Sequence, residues 1–117
     1  MINIEGVIDG YLAHFQYEET IKKDPQEFLV NWENIGSASC LVRMRVDVMN
    51  STNVLSTAWS NEAGLNPGDN NDLRAYWYPQ SPGDYSANTT IHYCHLIING
   101  PSVNFTVEEL TEPTPVN

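Results

Sequence analysis

Basic residues are scarce in this sequence. Lysine and arginine together number 5 against 15 aspartates and glutamates, a formal net charge of −10 over 117 residues. Such a surface repels phosphate backbones and anionic lipids, so we expect no binding to nucleic acid and no docking on a membrane. Long apolar runs are also missing, and none approaches the length of a transmembrane helix. We therefore expect no direct membrane insertion of this segment.

A signal peptide is not recognisable either. Residues 1–6 lack the basic start and the apolar stretch that define one. The chain is thus either cytosolic or an excised piece of a longer secreted protein. Its Thr/Pro-rich end, residues 111–117, is typical of spacers between domains. We favour an excised domain spanning residues 1–110, followed by a linker, at an extracellular or cell-surface location.

Helical periodicity is absent, whereas period-2 alternation recurs along the chain. It is clearest over 40–49, where every second residue is apolar, and in the stretch 65–98, around which the rest is organised. There, Pro67-Gly68 and Pro82-Gly83 predict tight turns that border two central strands. Further strands are expected at 7–17, 28–33, 54–59 and 103–107, with a solvated loop at 18–26 and a turn at 99–101. About seven short strands favour a two-sheet antiparallel sandwich.

Several of these turn and core positions fall in a familiar order. They are Asn34-Ile-Gly36, Leu65-Asn-Pro-Gly68, Trp77-Tyr-Pro79 and Pro82-Gly-Asp-Tyr85. Over residues 26–108 the chain resembles immunoglobulin-like modules of the CARDB (cell-adhesion-related) type and their fibronectin type III-like relatives. The resemblance implies an all-β, immunoglobulin-like sandwich that acts as a structural or adhesive module on prokaryotic, and in particular archaeal, surface proteins. The first strand lies outside the match, and the Cys pair and many aromatic residues depart from a plain spacer.

Two cysteines, Cys40 and Cys94, are present. In the sandwich topology the strand that starts at Cys40 neighbours the strand that ends near Cys94, which places the two within disulfide reach. Simple alternation puts Cys40 with the core and Cys94 on the outer face, so a β-bulge near His92 is needed to bring them together. Two separate buried thiols are the alternative.

Three Asn-x-Ser/Thr sequons begin at Asn50, Asn88 and Asn104. Asn50 lies in a predicted turn, and the other two lie on the outward positions of predicted strands. All three are therefore glycosylation candidates, with an unmodified polar surface as the alternative.

Metal and catalytic sites find less support. His92 and Cys94 share one parity and could bind zinc together with His14, but His95 points the other way. Asp69 and Asn71 begin like a calcium loop, and Leu73 then occupies the next ligand position. No Ser-His-Asp or Cys-His arrangement has supporting context. We expect no metal, no cofactor and no enzymatic activity.

Aromatic residues supply the remaining candidates. Trp32, Trp59 and Trp77 are interpreted as core residues. Tyr76 and Tyr78 are on the opposite parity to Trp77, so they are either exposed, side by side on one strand, or covered by the first strand or the 18–26 loop. Exposed rings would bind a sugar or a protein.

Outward-facing polar residues complete the predicted surface. Arg43, Arg45 and Asp47 alternate with apolar residues on one strand, opposite Asn88, Thr90 and His92 on its neighbour. This mixed polar face is suited to docking a partner. The sequence thus predicts a non-catalytic interaction module that binds a protein, or associates with itself, through a sheet face or edge. A carbohydrate-binding module using Tyr76 and Tyr78 is the alternative.

Overall fold

The computed structural model describes residues 6–109 of the chain. The predicted linker at 111–117 lies outside the described residues. The strands are β1 (Gly10–Gln16), β2 (Thr20–Ile21), β3 (Gln26–Asn34), β4 (Cys40–Asn50), β5 (Asn53–Trp59), β6 (Ala63–Leu65), β7 (Asn70–Trp77), β8 (Gly83–Tyr93) and β9 (Leu96–Val107). The described part of the chain contains no helix, and so none that could span a membrane.

Two sheets pack face to face and confirm the immunoglobulin-like β-sandwich. The small sheet has the strand order β1-β3-β7. The large sheet has the order β2-β9-β8-β4-β5, and β6 pairs with β4 beside β5. The two central strands predicted between Leu65 and Ile98 are β7 and β8, which belong to opposite sheets, so the turn at Pro82-Gly83 carries the chain from one layer to the other.

The core forms where the inward positions of both sheets meet. From β4 these are Val42, Met44, Val46 and Val48, all fully buried. Aromatic rings fill the space between the layers, with Phe28, Trp77, Tyr85 and Phe105 packed in a chain of contacts and Trp32 against Tyr93. The alternation read from the sequence therefore identifies the inner face of β3, β4, β7 and β8 correctly.

The first strand is shorter than predicted and changes phase. It covers Gly10–Gln16 instead of 7–17, and its pairing with β3 shifts between Leu12 and His14. Because a bulge moves the following residues to the other face, Leu12 and Phe15 pack on the core, while Tyr11 is exposed. Strict alternation over this segment was wrong.

The segment 18–26 is more than a solvated loop. It contains β2, which pairs in parallel with the end of β9, and Ile21 is buried. Gln26 is also fully buried, and its side chain closes the segment: Nε2 donates to the Glu18 carbonyl, 2.6 Å, and Oε1 accepts from the Glu18 N–H, 2.9 Å. Gln26 is thus a buried polar residue at a position where strand alternation would predict an apolar one, and it is tolerated there because both ends of its amide are hydrogen-bonded.

The last strand runs through the turn predicted at 99–101. The chain reverses earlier, at Cys94 and His95, and β9 begins at Leu96. The strand can pass here because position 100 is a glycine. A Cβ at this position would stand 2.4 Å from the Thr89 hydroxyl oxygen, and that hydroxyl donates to the Pro101 carbonyl at 2.6 Å. The pairing of β8 with β9 is irregular at the same level, between Asn88 and Thr90.

Candidate binding surface

The outer face of the large sheet places charged and aromatic side chains in one row. Arg43 and Arg45 project outward from β4, opposite His92 and Thr90 of β8. Trp59, the last residue of β5, lies opposite Arg45 on the other side. Trp59 is 43% exposed and is therefore no core residue, contrary to the sequence-based expectation.

A shift in hairpin register explains this exposure. Met49 pairs with Val54 at the tip of the β4–β5 hairpin, and continuing that register would bring Trp59 opposite the buried Met44. A bulge between Val48 and Met49 moves the pairing by one residue, so Trp59 lies opposite the outward Arg45. Since side chains alternate between faces, this one-residue shift transfers the indole from the core side to the solvent side.

The side chains around Trp59 form a packed cluster. The Arg43 guanidinium carbon lies 4.2 Å from the centroid of the indole ring, and that of Arg45 lies 5.9 Å away. The His92 ring meets the indole edge to face at 5.1 Å. Arg43, Arg45, Trp59 and His92 are called the arginine–tryptophan patch below. Cation–π contact of this kind holds a guanidinium in place while leaving its N–H groups free to donate.

The two arginines differ in their partners. The Arg45 Nε donates to Asp47 Oδ1 at 3.1 Å, and the same oxygen accepts from the Thr57 hydroxyl at 2.7 Å. Arg43 makes no ion pair with any residue between 6 and 109. Its positive charge is therefore available for an external acidic group.

Protonation of His92 is disfavoured in this setting. Burial lowers the pKa of its imidazole below 6.5, and the charges of Arg43 and Arg45 lower it further. The ring is therefore neutral at neutral pH and does not add to the positive charge of the patch. Two exposed apolar side chains border it, Leu41 of β4 and Ile97 of β9, which are 58% and 69% exposed.

Tyr76, near the end of β7 in the small sheet, and Tyr78, just after that strand, are both exposed. They are 44% and 67% exposed, so neither the first strand nor the 18–26 segment covers them. The Tyr76 hydroxyl donates to Glu27 Oε2 at 2.9 Å, and this hydrogen bond is the main cause of its raised pKa. Beside them, a cleft of about 690 Å³ runs between β5 and β7, bordered by Leu55 and Trp59 on the opposite side.

Two of the predicted glycosylation acceptors, Asn88 and Asn104, lie on the face that carries the arginine–tryptophan patch, and the third, Asn50, lies at the end of β4. Asn50 is the last residue of β4, and Ser51, which follows it, has a positive φ of 57° in the turn. Asn88 of β8 pairs with Ser102 of β9, and Asn104 pairs with Ser86. All three asparagines are exposed.

Cys40 and Cys94 form the disulfide that the topology predicts, with a Cα–Cα distance of 4.9 Å. The bulge expected near His92 is not how they meet. Strand β8 ends at Tyr93, and Cys94 turns out of the strand with a φ of 53° while its N–H donates to the Leu41 carbonyl at 3.0 Å. The alternation rule stops applying at the residue where the strand stops.

The same disulfide removes the zinc hypothesis, because the Cys94 sulfur is bonded to Cys40. In the Asp69–Asp72 loop, oxygen atoms accept hydrogen bonds from the protein itself. Asp69 Oδ2 accepts from the Asn66 N–H, and Asp72 Oδ1 from the Asn31 amide. No group of three or more His, Cys, Asp or Glu side chains converges within the described residues.

Comparisons with known proteins identify the fold of this chain but not its family. No family model matches the chain, and no curated protein matches it. Among solved structures, the CARDB domain of a Pyrococcus furiosus protein, in complex with di-metal ions, is similar over 88% of this chain and 89% of that domain, at 16% identity and a TM-score of 0.56. At this identity the likeness shows a shared immunoglobulin-like architecture.

Two larger proteins contain a similar unit. An alkylpurine DNA glycosylase from Pseudomonas fluorescens, bound to DNA with an abasic-site analogue, matches 86% of this chain at 14% identity and a TM-score of 0.59. A β-glucosidase from Listeria innocua, in complex with glucose, matches 88% at 10% identity and a TM-score of 0.56. This chain spans only 30% and 16% of those proteins.

Proposed function

We propose that this chain is a non-catalytic interaction module that binds an acidic protein partner through the arginine–tryptophan patch. One observation carries the proposal: Arg43 lies over the exposed ring of Trp59 without a carboxylate partner among residues 6–109. Tryptophan and arginine are the residue types that most often dominate binding energy at protein interfaces. The exposed apolar side chains of Leu41 and Ile97 border this centre.

The location proposed for the module is extracellular, as part of a larger cell-surface protein or assembly of archaeal type. The Cys40–Cys94 disulfide supports an oxidising compartment. The architecture shared with a CARDB domain supports a role in surface assemblies. The absence of catalysis is part of the same proposal and is tested separately by the hydrolysis assay below.

Site-specific photo-crosslinking in the cells that produce the protein tests the proposal. A photoreactive residue at Ile97 reports on the patch, and one at Tyr11 reports on the opposite sheet. We expect a defined protein adduct from position 97 only, and its loss in the variant Arg43→Glu/Arg45→Glu. Sedimentation velocity of the purified chain distinguishes a second copy from a different protein. Equal adducts from both positions would contradict the assignment of the face.

A matched charge reversal at Lys22 and Lys23 is the control. It changes the net charge by the same amount at two exposed residues away from the patch. We expect it to preserve the adduct. We expect both variants to keep a nearly unchanged Tm, because Arg43 makes no ion pair within residues 6–109 and a surface pair such as the partly exposed Arg45–Asp47 contributes only about 0–1 kcal/mol. Hydrolysis of a glycan or ester by the pure protein, abolished by one His or Glu substitution, would overturn the non-catalytic assignment.

A second candidate function is carbohydrate binding, favoured by the exposure of Tyr76 and Tyr78 beside an open cleft. Aromatic rings that protrude in this way can stack on the apolar face of a sugar. A glycan array followed by calorimetry tests it, with Tyr76→Ala/Tyr78→Ala expected to abolish any signal. Tyr11→Ala is the control, because Tyr11 is an exposed tyrosine on a different strand. Binding that survives the double substitution would exclude this site.

A further inference from the structure

The outer face of the large sheet is divided into two halves. The arginine–tryptophan patch occupies the half near the start of β4. The other half, the sequon half, is defined by Asn88 and Asn104, with Asn50 at its border where β4 ends. On β4, Arg43 and Asn50 are seven residues apart, which corresponds to about 23 Å along an extended strand.

The sequon half has room for bulky additions. On β8 and β9, the outward residues beside Asn88 and Asn104 are small and polar, namely Ser86, Thr90, Ser102 and Thr106. On β4, Asp47 lies opposite Asn88, and Met49 Sδ lies 3.0 Å from Asn88 Nδ2. An open cleft of about 800 Å³ adjoins them, and both Asn50 and Asn104 line it. A group attached to any of the three amides therefore projects into solvent without displacing a core residue.

Two acceptor motifs, at Asn88 and Asn104, fold onto one half of one face, and the third, at Asn50, lies at the border of that half where β4 ends; their spacing in the sequence does not require this. They are 38 and 16 residues apart along the chain, yet β4, β8 and β9 are adjacent strands. Asn88 and Asn104 are diagonal neighbours across β8 and β9, about 7–8 Å apart at their Cα atoms. The Cys40–Cys94 disulfide indicates an oxidising compartment, which is where N-glycosylation takes place.

We infer that the sequon half is an N-glycosylated surface that leaves the arginine–tryptophan patch bare. An oligosaccharide linked to a polyprenyl diphosphate is the donor. The Asn Nδ2 forms a bond to the sugar C1, the C1–O bond to the diphosphate breaks, the amide loses one proton, and the polyprenyl diphosphate leaves. Asn88 and Asn104 lie within paired strands, so transfer to them precedes sheet formation, whereas Asn50 borders a turn.

Secretion from a eukaryotic host with N-glycosylation tests the inference. The purified, disulfide-bonded protein is digested with peptide:N-glycosidase in ¹⁸O-water, and modified asparagines are read by mass spectrometry as labelled aspartates. We expect label at Asn50 and at one or both of Asn88 and Asn104. Label at fewer than two of the three positions would overturn the inference.

Matched variants separate modification from misfolding. Thr90→Ala destroys the Asn88 sequon and should remove its label, whereas Thr90→Ser preserves the motif and should retain it. The same pair at Thr106 tests Asn104. Each variant must show the native disulfide and a cooperative melt. Label that persists after Thr90→Ala would contradict sequon-directed transfer at that site.

Acrylamide quenching of Trp59 fluorescence tests whether the glycans leave the arginine–tryptophan patch uncovered. Trp59 is the exposed tryptophan, whereas Trp32 and Trp77 are buried, and Trp59→Phe identifies its contribution. We expect the same quenching constant before and after enzymatic removal of the glycans. A constant that rises at least twofold on deglycosylation would show that the sugars cover the patch and would overturn the division of the face.

Discussion

Gly10 is needed where the small sheet begins. A Cβ at this position would stand 2.3–2.6 Å from three atoms of the Trp32 indole, which is itself buried. We expect Gly10→Ala to destabilise the fold by about 1–3 kcal/mol, the usual result of overpacking a core. Urea unfolding followed by tryptophan fluorescence measures it.

Gly64→Ala is the matched control for that substitution. A Cβ at Gly64 would make an ordinary contact of 3.5 Å with the Leu41 side chain, so little change is expected. If Gly10→Ala proved as stable as Gly64→Ala, the Trp32 ring would have to pack elsewhere.

His92 links stability to pH. Its folded-state pKa is lowered, so on acidification the unfolded chain binds a proton near pH 6.5 while the folded protein does not. The free energy of unfolding should therefore decrease as the pH falls from about 6.5 through the folded-state pKa. His92→Gln should remove this part of the slope, as measured by urea unfolding across that range.

The same residue gives a direct check by NMR. Burial is the main cause of its lowered pKa, and Arg43 contributes repulsion. Arg43→Gln should raise the pKa of the imidazole, and Lys22→Gln should leave it unchanged. An imidazole that titrates at or above 6.5 in the wild type would contradict the packing of His92 against Trp59.

At the scale of the elements, the disulfide joins the start of β4 to the turn after β8. It closes a loop with a sequence separation of 54, for which the chain-entropy model gives about 4 kcal/mol. Reduction should raise the intact mass by two hydrogens and lower the Tm by several degrees. Cys40→Ala/Cys94→Ser should melt at the reduced value and be indifferent to reductant. Two free thiols in never-reduced protein would contradict the bridge.

The exposed edge of β7 is covered by a side chain. Asn61, between β5 and β6, accepts from the Arg74 N–H through Oδ1 at 2.9 Å and donates to the Asp72 carbonyl through Nδ2 at 3.1 Å. This amide imitates a neighbouring strand at the point where unpaired backbone groups invite another chain.

Asn61→Ala should therefore free the edge of β7. We expect faster hydrogen exchange at the Arg74 amide and a loss of stability of about 1 kcal/mol. Asn61→Asp retains the acceptor and should keep that amide protected. Unchanged exchange in Asn61→Ala would show that the side chain does not cap the strand.

At the scale of the molecule, the two outer faces have different characters. The small sheet carries the half-buried Glu27 and Glu33 beside the exposed Tyr76, whereas the large sheet carries the arginine–tryptophan patch. In a chain of net charge −10, two of the three arginines lie in this patch. Binding through it should weaken as ionic strength rises, because salt screens exposed charges beyond about 10 Å at 0.1 M. Crosslinking at position 97 in increasing NaCl measures this, and an adduct that strengthens with salt would contradict an acidic partner.

The sequence by itself determined the all-β class, the inner faces of β3, β4, β7 and β8, and the outward positions of Arg43, Arg45, Tyr76 and Tyr78. Each follows from alternation within a single strand, which is local. The order of neighbouring strands also predicted that Cys40 and Cys94 lie close together, although alternation alone left two separate thiols as the alternative. Composition predicted the charge of the surface without any reference to the fold.

Tertiary structure decided whatever depends on register between strands. One bulge between Val48 and Met49 places Trp59 on the solvent side, and a positive φ at Cys94 brings its sulfur to Cys40. The buried amide of Gln26 and the short strand β2 likewise depend on partners distant in sequence. A one-residue shift reverses which face a side chain occupies, and no local pattern records it, so the patch became visible only when the strands were paired.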